Sequence, residues 1–289
     1  MKFLIADAFT EQLFGGNPAG VVILPEGADY PSDEIMVKTA AELRYSETAF
    51  IKQLGPEEFR IRYFTPAAEV DLCGHATIAS FGTLFREGIV PEGIPCLNHT
   101  NAGDLEIIPG PTTMMQMARP RLAGTFEDES LLAELLSAMG GLTHEDLAPL
   151  PVESISTGIP DIILPVRDLK TLQSLRPDMD ALSQLSTRLD VVGVHALATV
   201  PGDGYTAHVR NFAPRYAVPE ESATGTANAA LTGYLFRNRL IGDGATCRFL
   251  QGEAMGRPSL VLSTLRLKDG IPDIRVGGPC AIVARGSLL

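Results

Sequence analysis

One feature constrains this chain more than any other: a stretch of it occurs twice. Leu72 to Arg86 aligns without a gap with Ala223 to Arg237, so that Gly74, Ala76, Ala79, Gly82, Leu84, Phe85 and Arg86 meet Gly225, Ala227, Ala230, Gly233, Leu235, Phe236 and Arg237. Both copies place small and polar residues just before an apolar segment of helical length. Upstream, Arg62-Tyr63-Phe64-Thr65-Pro66 matches Arg210-Asn211-Phe212-Ala213-Pro214, and the second copy then carries three extra residues before its helix. Matches recurring in the same order imply an internal duplication, and a duplication places a functional site at the seam between its copies.

The surrounding elements recur as well. In the first half, Phe3 to Phe9 reads as a strand, Phe14 to Gly20 as a turn-rich loop, and Val21 to Leu24 as a β-branched strand stopped by Pro25. Ser32 caps a helix carried by Ile35, Val37, Ala40, Ala41 and Leu43. Ser46 to Ile51 and Phe59 to Phe64 form a hairpin across Gly55-Pro56, followed by the repeated helix from Gly74 to Arg86. In the second half, Ile155 to Pro160 is the turn-rich loop and Asp161 to Leu164 the strand, stopped by Pro165. Asp178 caps a helix reaching Leu189. Strands at Val191 to Val200 and Tyr205 to Phe212 join through Gly202-Asp203-Gly204, and the second copy of the repeated helix starts at Gly225.

Several strands accompany each helix, which fits a curved sheet wrapped around one central helix better than a doubly wound sheet. The fold class expected is therefore α+β, with two pseudo-symmetric domains. Ala118 to Gly124 reads as the connector. Further strands are expected at Arg248 to Met255, Ser259 to Leu265 and Ile274 to Val276. Gly277-Gly278-Pro279 breaks the pattern before a short last strand, Ala281 to Ala284, which returns to the first domain. The domains are thus 1–118 plus 279–289, and 119–278.

Bulk properties narrow the function. At 289 residues there is ample core for one large domain or two modest ones. A net charge of −12 and the absence of Trp argue against nucleic acid or an anionic membrane as partner. A local site can still oppose that sign, so a small anionic substrate fits. Asp7 arrives too early for a signal peptide, and no apolar run approaches the roughly 20 residues of a membrane span. Cys73, Cys96, Cys247 and Cys280 show neither ligand spacing nor a disulfide framework. A cytoplasmic protein without metal is expected. The Gly-rich segments lack nucleotide-binding spacings, so no cofactor is expected either.

The chemistry concentrates at the two helix starts. Each offers unpaired backbone N–H groups and a partial positive charge, and Gly74 and Gly225 have no side chain to obstruct a ligand. With the two copies facing each other, both starts would hold a carboxylate or a developing enolate; otherwise the glycines simply permit tight packing. His75, in the first helical turn, reads as a neutral proton relay or as a capping or core histidine. Glu47, at the rim of an apolar strand, reads as an acid/base of raised pKa or as an exposed strand-start acid. Laying the halves together at Arg62 and Arg210 puts His195 opposite Glu47, which leaves the site with one carboxylate there. Cys73 is matched by Thr224, so no two-cysteine mechanism is available. Glu220 and Glu221 read as a solvated pair, or Glu221 as a carboxylate that orients His75.

Phe14 to Ala19, Ser46 to Phe50, Arg62 to Pro66, Glu69 to Thr77 and Gln251 to Pro258 together resemble the PhzF-like phenazine-biosynthesis isomerase family, over nearly the whole chain. The resemblance implies the diaminopimelate epimerase-like fold, with two barrel-like domains, each around a central helix, and a homodimer. It implies that Glu47 moves a proton between two carbons, with His75 as companion, Glu221 as a further catalytic group, and Asn17, Gly74, Gly225 and Thr226 in substrate binding. Glu221 stands where the family has Asp, and Thr226 where it has Ser. The function expected is a cofactor-independent isomerase of the trans-2,3-dihydro-3-hydroxyanthranilate type, acting on a small carboxylate-bearing substrate. An amino- or hydroxy-acid racemase or epimerase, and a non-catalytic binding protein, are the alternatives on the same fold.

Overall fold

The computed structural model describes residues 1–288. The backbone divides into two units, Met1–Gln116 with the segment from Gly277 onward, and Met117–Val276. The first unit runs β1 (Lys2–Ala8), β2 (Asn17–Ile23), α1 (Asp33–Leu43), β3 (Thr48–Gln53), β4 (Glu58–Phe64), β5 (Glu69–Val70), α2 (Gly74–Arg86), β6 (Cys96–Thr100), β7 (Gly103–Ile108) and β8 (Thr113–Gln116). The second runs β9 (Arg121–Thr125), α3 (Glu129–Ala138), β10 (Glu153–Ser156), β11 (Pro160–Pro165), α4 (Leu169–Ser174), α5 (Met179–Leu189), β12 (Val194–Ala198), β13 (Ala207–Ala213), β14 (Val218–Glu221), α6 (Gly225–Arg237), β15 (Thr246–Gln251) and β16 (Ser259–Lys268). Along β17 (Ile271–Gly278) the chain leaves the second unit, and β18 (Cys280–Ser287) lies antiparallel to β1.

The duplication is visible in the strand directions. In the first unit β1–β2 is antiparallel, β2–β3 parallel, β3–β4 antiparallel, β4–β6 parallel and β6–β7 antiparallel. The second unit repeats that order with β10–β11, β11–β12, β12–β13, β13–β15 and β15–β16. Each unit is α+β, its sheet curved around one helix. In α2 every residue from His75 to Leu84 is buried; in α6 Gly225 and every residue from Ala227 to Leu235 are. A helix buried all round is a central one, enclosed by its sheet.

The mid-helix glycines of the repeat explain how the sheet comes so close. A Cβ on Gly82 would meet Cys280 Cβ of β18 at 2.5 Å, and one on Gly233 would meet Pro120 Cβ, just before β9, at 2.5 Å. The same spot on each helix is therefore pressed by the outermost segment of its own unit. At the helix ends Arg86 and Arg237 sit in the last turns, where the dipole favours a cation.

Several sequence expectations are corrected. The presumed loop at Phe14 to Gly20 is strand from Asn17 onward, because Asn17 pairs with Ala8. The presumed connector is largely β9, which pairs with β10. Gly277-Gly278 does not break the pattern: β17 runs through both, and a Cβ on Gly277 would strike Thr113 O at 1.9 Å, so glycine permits a close backbone approach. The strand expected at Arg248 to Met255 ends at Gln251, where Gly252 turns left-handed into a 3₁₀ turn. No helix among the described residues is long and apolar enough to cross a membrane.

Candidate active site

In the first unit, the elements that hold the site are tied down before it begins. Arg62 of β4 grips Glu69 of β5 through Nε and Nη2 at 2.7 and 2.6 Å, which fixes the approach to α2. Tyr63 meets Thr77 at 2.7 Å, and Thr77 Oγ1 donates back to Cys73 O at 2.8 Å. Cys73 is the N-cap of α2, and its side chain caps no N–H; the first turn contains no acid. The dipole at this end is thus left to be balanced by something outside the helix. A Cβ on Gly74 would only touch Met115 Cε at 3.7 Å. Unlike Gly82, Gly74 is not required by packing.

Glu47 immediately precedes β3, and its carbonyl accepts a hydrogen bond from Gly20 N at 3.1 Å. Its side chain reaches His75: Oε2 lies 3.3 Å from Nε2, with His75 only 6% exposed and Glu47 20%. That contact is not aligned as a hydrogen bond, and Glu47 Oε2 is buried without a hydrogen-bond partner among the described residues. A buried, unpaired carboxylate oxygen is rare in folded proteins and calls for a functional explanation. The imidazole also meets Ser46 Oγ at 3.4 Å through Nε2 and Cys73 Sγ at 3.4 Å through Nδ1. Sequence reasoning named Glu47 and His75; the structure brings them together and adds Ser46 and Cys73, both of which flank named residues.

Glu47, Cys73 and His75 are also a group that could hold a metal, their donor atoms lying within 4.8 Å of one another. Thiolate, imidazole and carboxylate are donors of the zinc type. Asn17 is buried at the start of β2, on the same strand as Gly20.

In the second unit Arg210 grips Glu220 by the same two-pronged pairing, Nε and Nη2 at 2.8 Å each. Glu220 is therefore no solvated acid but the counterpart of Glu69. Glu221, the last residue of β14, accepts from Thr224 Oγ1 at 2.6 Å. Thr224 is the N-cap of α6 and, like Cys73, caps no N–H with its side chain. Gly225 opens the helix, and the carbonyl of Thr226 accepts from Thr157 Oγ1 at 3.0 Å. Gln251 is completely buried behind this turn and bonds Thr224 N, Thr224 Oγ1 and Glu221 O. It belongs to the Gln251 to Pro258 motif, which the sequence showed without revealing its use.

The strand register changes one expectation. Phe50 lies opposite Arg62, but Ala196 lies opposite Arg210. His195 is consequently the counterpart of Ala49, and Gly193 that of Glu47. The backbone agrees: Gly20 N donates to Glu47 O, and Ile162 N, one strand over in the second unit, donates to Gly193 O. The gapless comparison failed because the β3–β4 and β12–β13 connections differ in length. The second unit still lacks a carboxylate at this position, now because glycine occupies it. His195 is buried between Asn211 and Asn228, and desolvation depresses its pKa to about 4. Neighbouring Asp161 is fully buried too, and desolvation pushes its carboxyl up to about 7, with the charge of Glu221 adding to the rise.

Residues 6–286 match the family model PhzC-PhzF, described as phenazine biosynthesis-like protein. An uncharacterized isomerase from Clostridium acetobutylicum is 33% identical, covering 98% of this chain and 96% of its own length. The crystal structure of a Bacillus anthracis phenazine biosynthesis protein of the PhzF family superposes with a TM-score of 0.87 at 25% identity, over 100% of this chain and 99% of that one. A probable proline racemase from Agrobacterium radiobacter, at 13% identity and a TM-score of 0.61, covers 100% of this chain and 92% of its own and shares the fold.

Proposed function

The chain belongs to the phenazine biosynthesis-like (PhzC-PhzF) family, and from that membership we propose that it is an isomerase that moves a proton between two carbons of a small carboxylate-bearing substrate. The observation that carries this reading is the buried Oε2 of Glu47, 3.3 Å from His75 Nε2 and with no hydrogen-bond partner among the described residues. Such an oxygen is placed to accept a proton from a carbon acid, and it has no competing hydrogen bond to give up. Catalytic hydrogen bonds commonly align only once substrate is bound, which accounts for the loose contact with His75. Glu47 takes the proton from an activated carbon and returns it at another carbon of the conjugated system, shifting a double bond. His75 supports the carboxylate. The backbone N–H groups at the start of α2 stabilise the substrate carboxylate and the charge that develops.

In the second unit Glu221, Gly225 and Thr226 offer a carboxylate and a helix start of their own. The reaction needs no cofactor, and the cytoplasmic homodimer is part of the same proposal. Names among the relatives support the isomerase class: the Clostridium acetobutylicum protein is called an isomerase. A racemase needs a base on each face of one carbon. The positions equivalent to Glu47 and Cys73 are Gly193 and Thr224, neither of which is such a base, so the isomerase reading stands first.

The test follows deuterium from solvent into a panel of small unsaturated and cyclic carboxylic acids, with product identified by NMR. A double-bond shift with deuterium at the new carbon is the expected result. Inversion of a chiral substrate without a shift would replace the isomerase by an epimerase, and tight binding without exchange would make the protein a binding module.

A further inference from the structure

One series of side-chain hydrogen bonds beneath the start of α6 runs in a single direction. Asn211 Nδ2 donates to His195 Nδ1 at 3.3 Å, and the remaining ring proton, on Nε2, goes to Asn228 Oδ1 at 3.3 Å. Asn228 Nδ2 donates to Gln251 Oε1 at 2.8 Å, Gln251 Nε2 to Thr224 Oγ1 at 3.1 Å, and Thr224 Oγ1 to Glu221 Oε2 at 2.6 Å. His195, Asn211, Asn228 and Gln251 are all completely buried. Gln251 is saturated: its oxygen also accepts from Thr224 N at 3.1 Å, and its nitrogen also donates to Glu221 O at 2.8 Å. With both ends of the amide engaged, its orientation is determined, and so is the direction in which Thr224 turns its hydroxyl.

A chain of donors in series strengthens each member, and in a dry interior the effect is larger than in water. Here it ends on a carboxylate. In the first unit the series Asn98 to Tyr63 to Thr77 ends on the backbone carbonyl of Cys73; in the second, Asn228 makes the equivalent bond to Thr224 O at 2.9 Å and the series also continues through Gln251. The two copies have therefore diverged in what their buried polar chains deliver.

We propose that Thr224, Gln251, Asn228 and His195 act as positioning residues that hold the Glu221 carboxylate in one orientation for the reaction. This rests on the reading that Glu221 takes part in that reaction. Amide groups in the chain do not pass protons on, so its service is orientation. The Gln251 to Pro258 motif thereby acquires a use: Gly252, with φ +80, turns the chain where a Cβ would strike Ser222 O at 2.7 Å, locking Gln251 beneath the Glu221–Thr224 turn.

The experiment compares kcat and KM of Thr224→Val, Thr224→Ser and Glu221→Gln, using a substrate from the panel above, with thermal melting of each. Thr224→Val removes the last donor and, with it, one of the two acceptors of Gln251 Nε2. It should lower kcat about ten- to a hundredfold, as expected for losing one hydrogen bond to a charged group, with KM within about twofold. Thr224→Ser should restore kcat. Thr224→Cys, which places in the second unit the residue the first carries at this position, should keep the melting temperature and lose kcat as Thr224→Val does. If Glu221→Gln is impaired while Thr224→Val and Thr224→Cys turn over like wild type, the positioning role is overturned. If Glu221→Gln itself turns over like wild type, the failure lies in the reading of Glu221.

Discussion

Asp161 and His195 lie close together in one buried network, and their titrations oppose each other. Burial raises the Asp161 carboxyl to about 7, so the folded state holds a proton that the unfolded chain releases near its ordinary value of 3.8. That stability is fully present below pH 4 and is lost as pH rises towards 7. His195, depressed to about 4 from 6.5, works in the other direction: its contribution is present above 6.5 and lost as pH falls towards 4. Between those limits the two slopes offset each other. Asp161→Asn should separate them. Urea unfolding at pH 8 should find the variant more stable than wild type by on the order of a few kcal/mol, since each tenfold change in proton affinity is worth about 1.4 kcal/mol. From pH 6.5 down to 4 it should lose stability more steeply than wild type. Parallel curves for the two proteins would contradict this account. At this same scale the sequence was informative for Glu47 and His75, because a lone acid before an apolar strand and a histidine in a helix's first turn stand out locally. It showed Gln251 only as the start of a motif and gave it no use, since its importance comes from contacts made with residues far away in the chain.

The glycines of the repeated helix fall into two kinds. Gly82 and Gly233 are packing residues, each facing an atom that a Cβ would meet at 2.5 Å; Gly74 faces open contact at 3.7 Å. Gly82→Ala and Gly233→Ala should each cost about 1–3 kcal/mol, the usual penalty of overpacking a tight core. Gly74→Ala should leave the melting temperature unchanged while raising KM, since its Cβ obstructs only what approaches the helix start. Loss of stability in Gly74→Ala equal to that in Gly82→Ala would erase the distinction. The elements best read from sequence were those with strong local punctuation. Ser32 caps α1 and Asp178 caps α5, as their positions suggested. Strands β6, β7 and β8 escaped because they are short, only partly buried and mixed in composition. Helices α3 and α4 escaped although Asp128 and Asp168 cap them, because they have no counterpart in the first half and a comparison of halves passes over them. Comparison of halves also misplaced His195, since loops of unequal length carry no register; only the strand ladder assigns Gly193 to the position of Glu47.

For the molecule as a whole, duplication supplied two equivalent units, and divergence made them chemically unequal. The α+β fold, its curved sheets and its family were all readable from the repeat and from the motifs spread along the chain. The first unit holds Glu47, His75 and an uncapped helix start; the second holds glycine where Glu47 stands and a buried chain ending on Glu221. That inequality supports proton transfer by one carboxylate rather than by a symmetric pair. Cofactor independence follows as an expectation: prolonged dialysis against a strong chelator should leave kcat unchanged. Activity lost with the chelator and restored by zinc would instead assign the Glu47, Cys73 and His75 donors to a metal. The most direct measurement of the central claim is the rate of solvent deuterium entry into the isomerised substrate, wild type against Glu47→Gln. Removing the base should slow it by at least about a hundredfold, the ordinary worth of a general base, with the fold and melting temperature retained. Exchange in Glu47→Gln as fast as in wild type would show that Glu47 does not carry the proton.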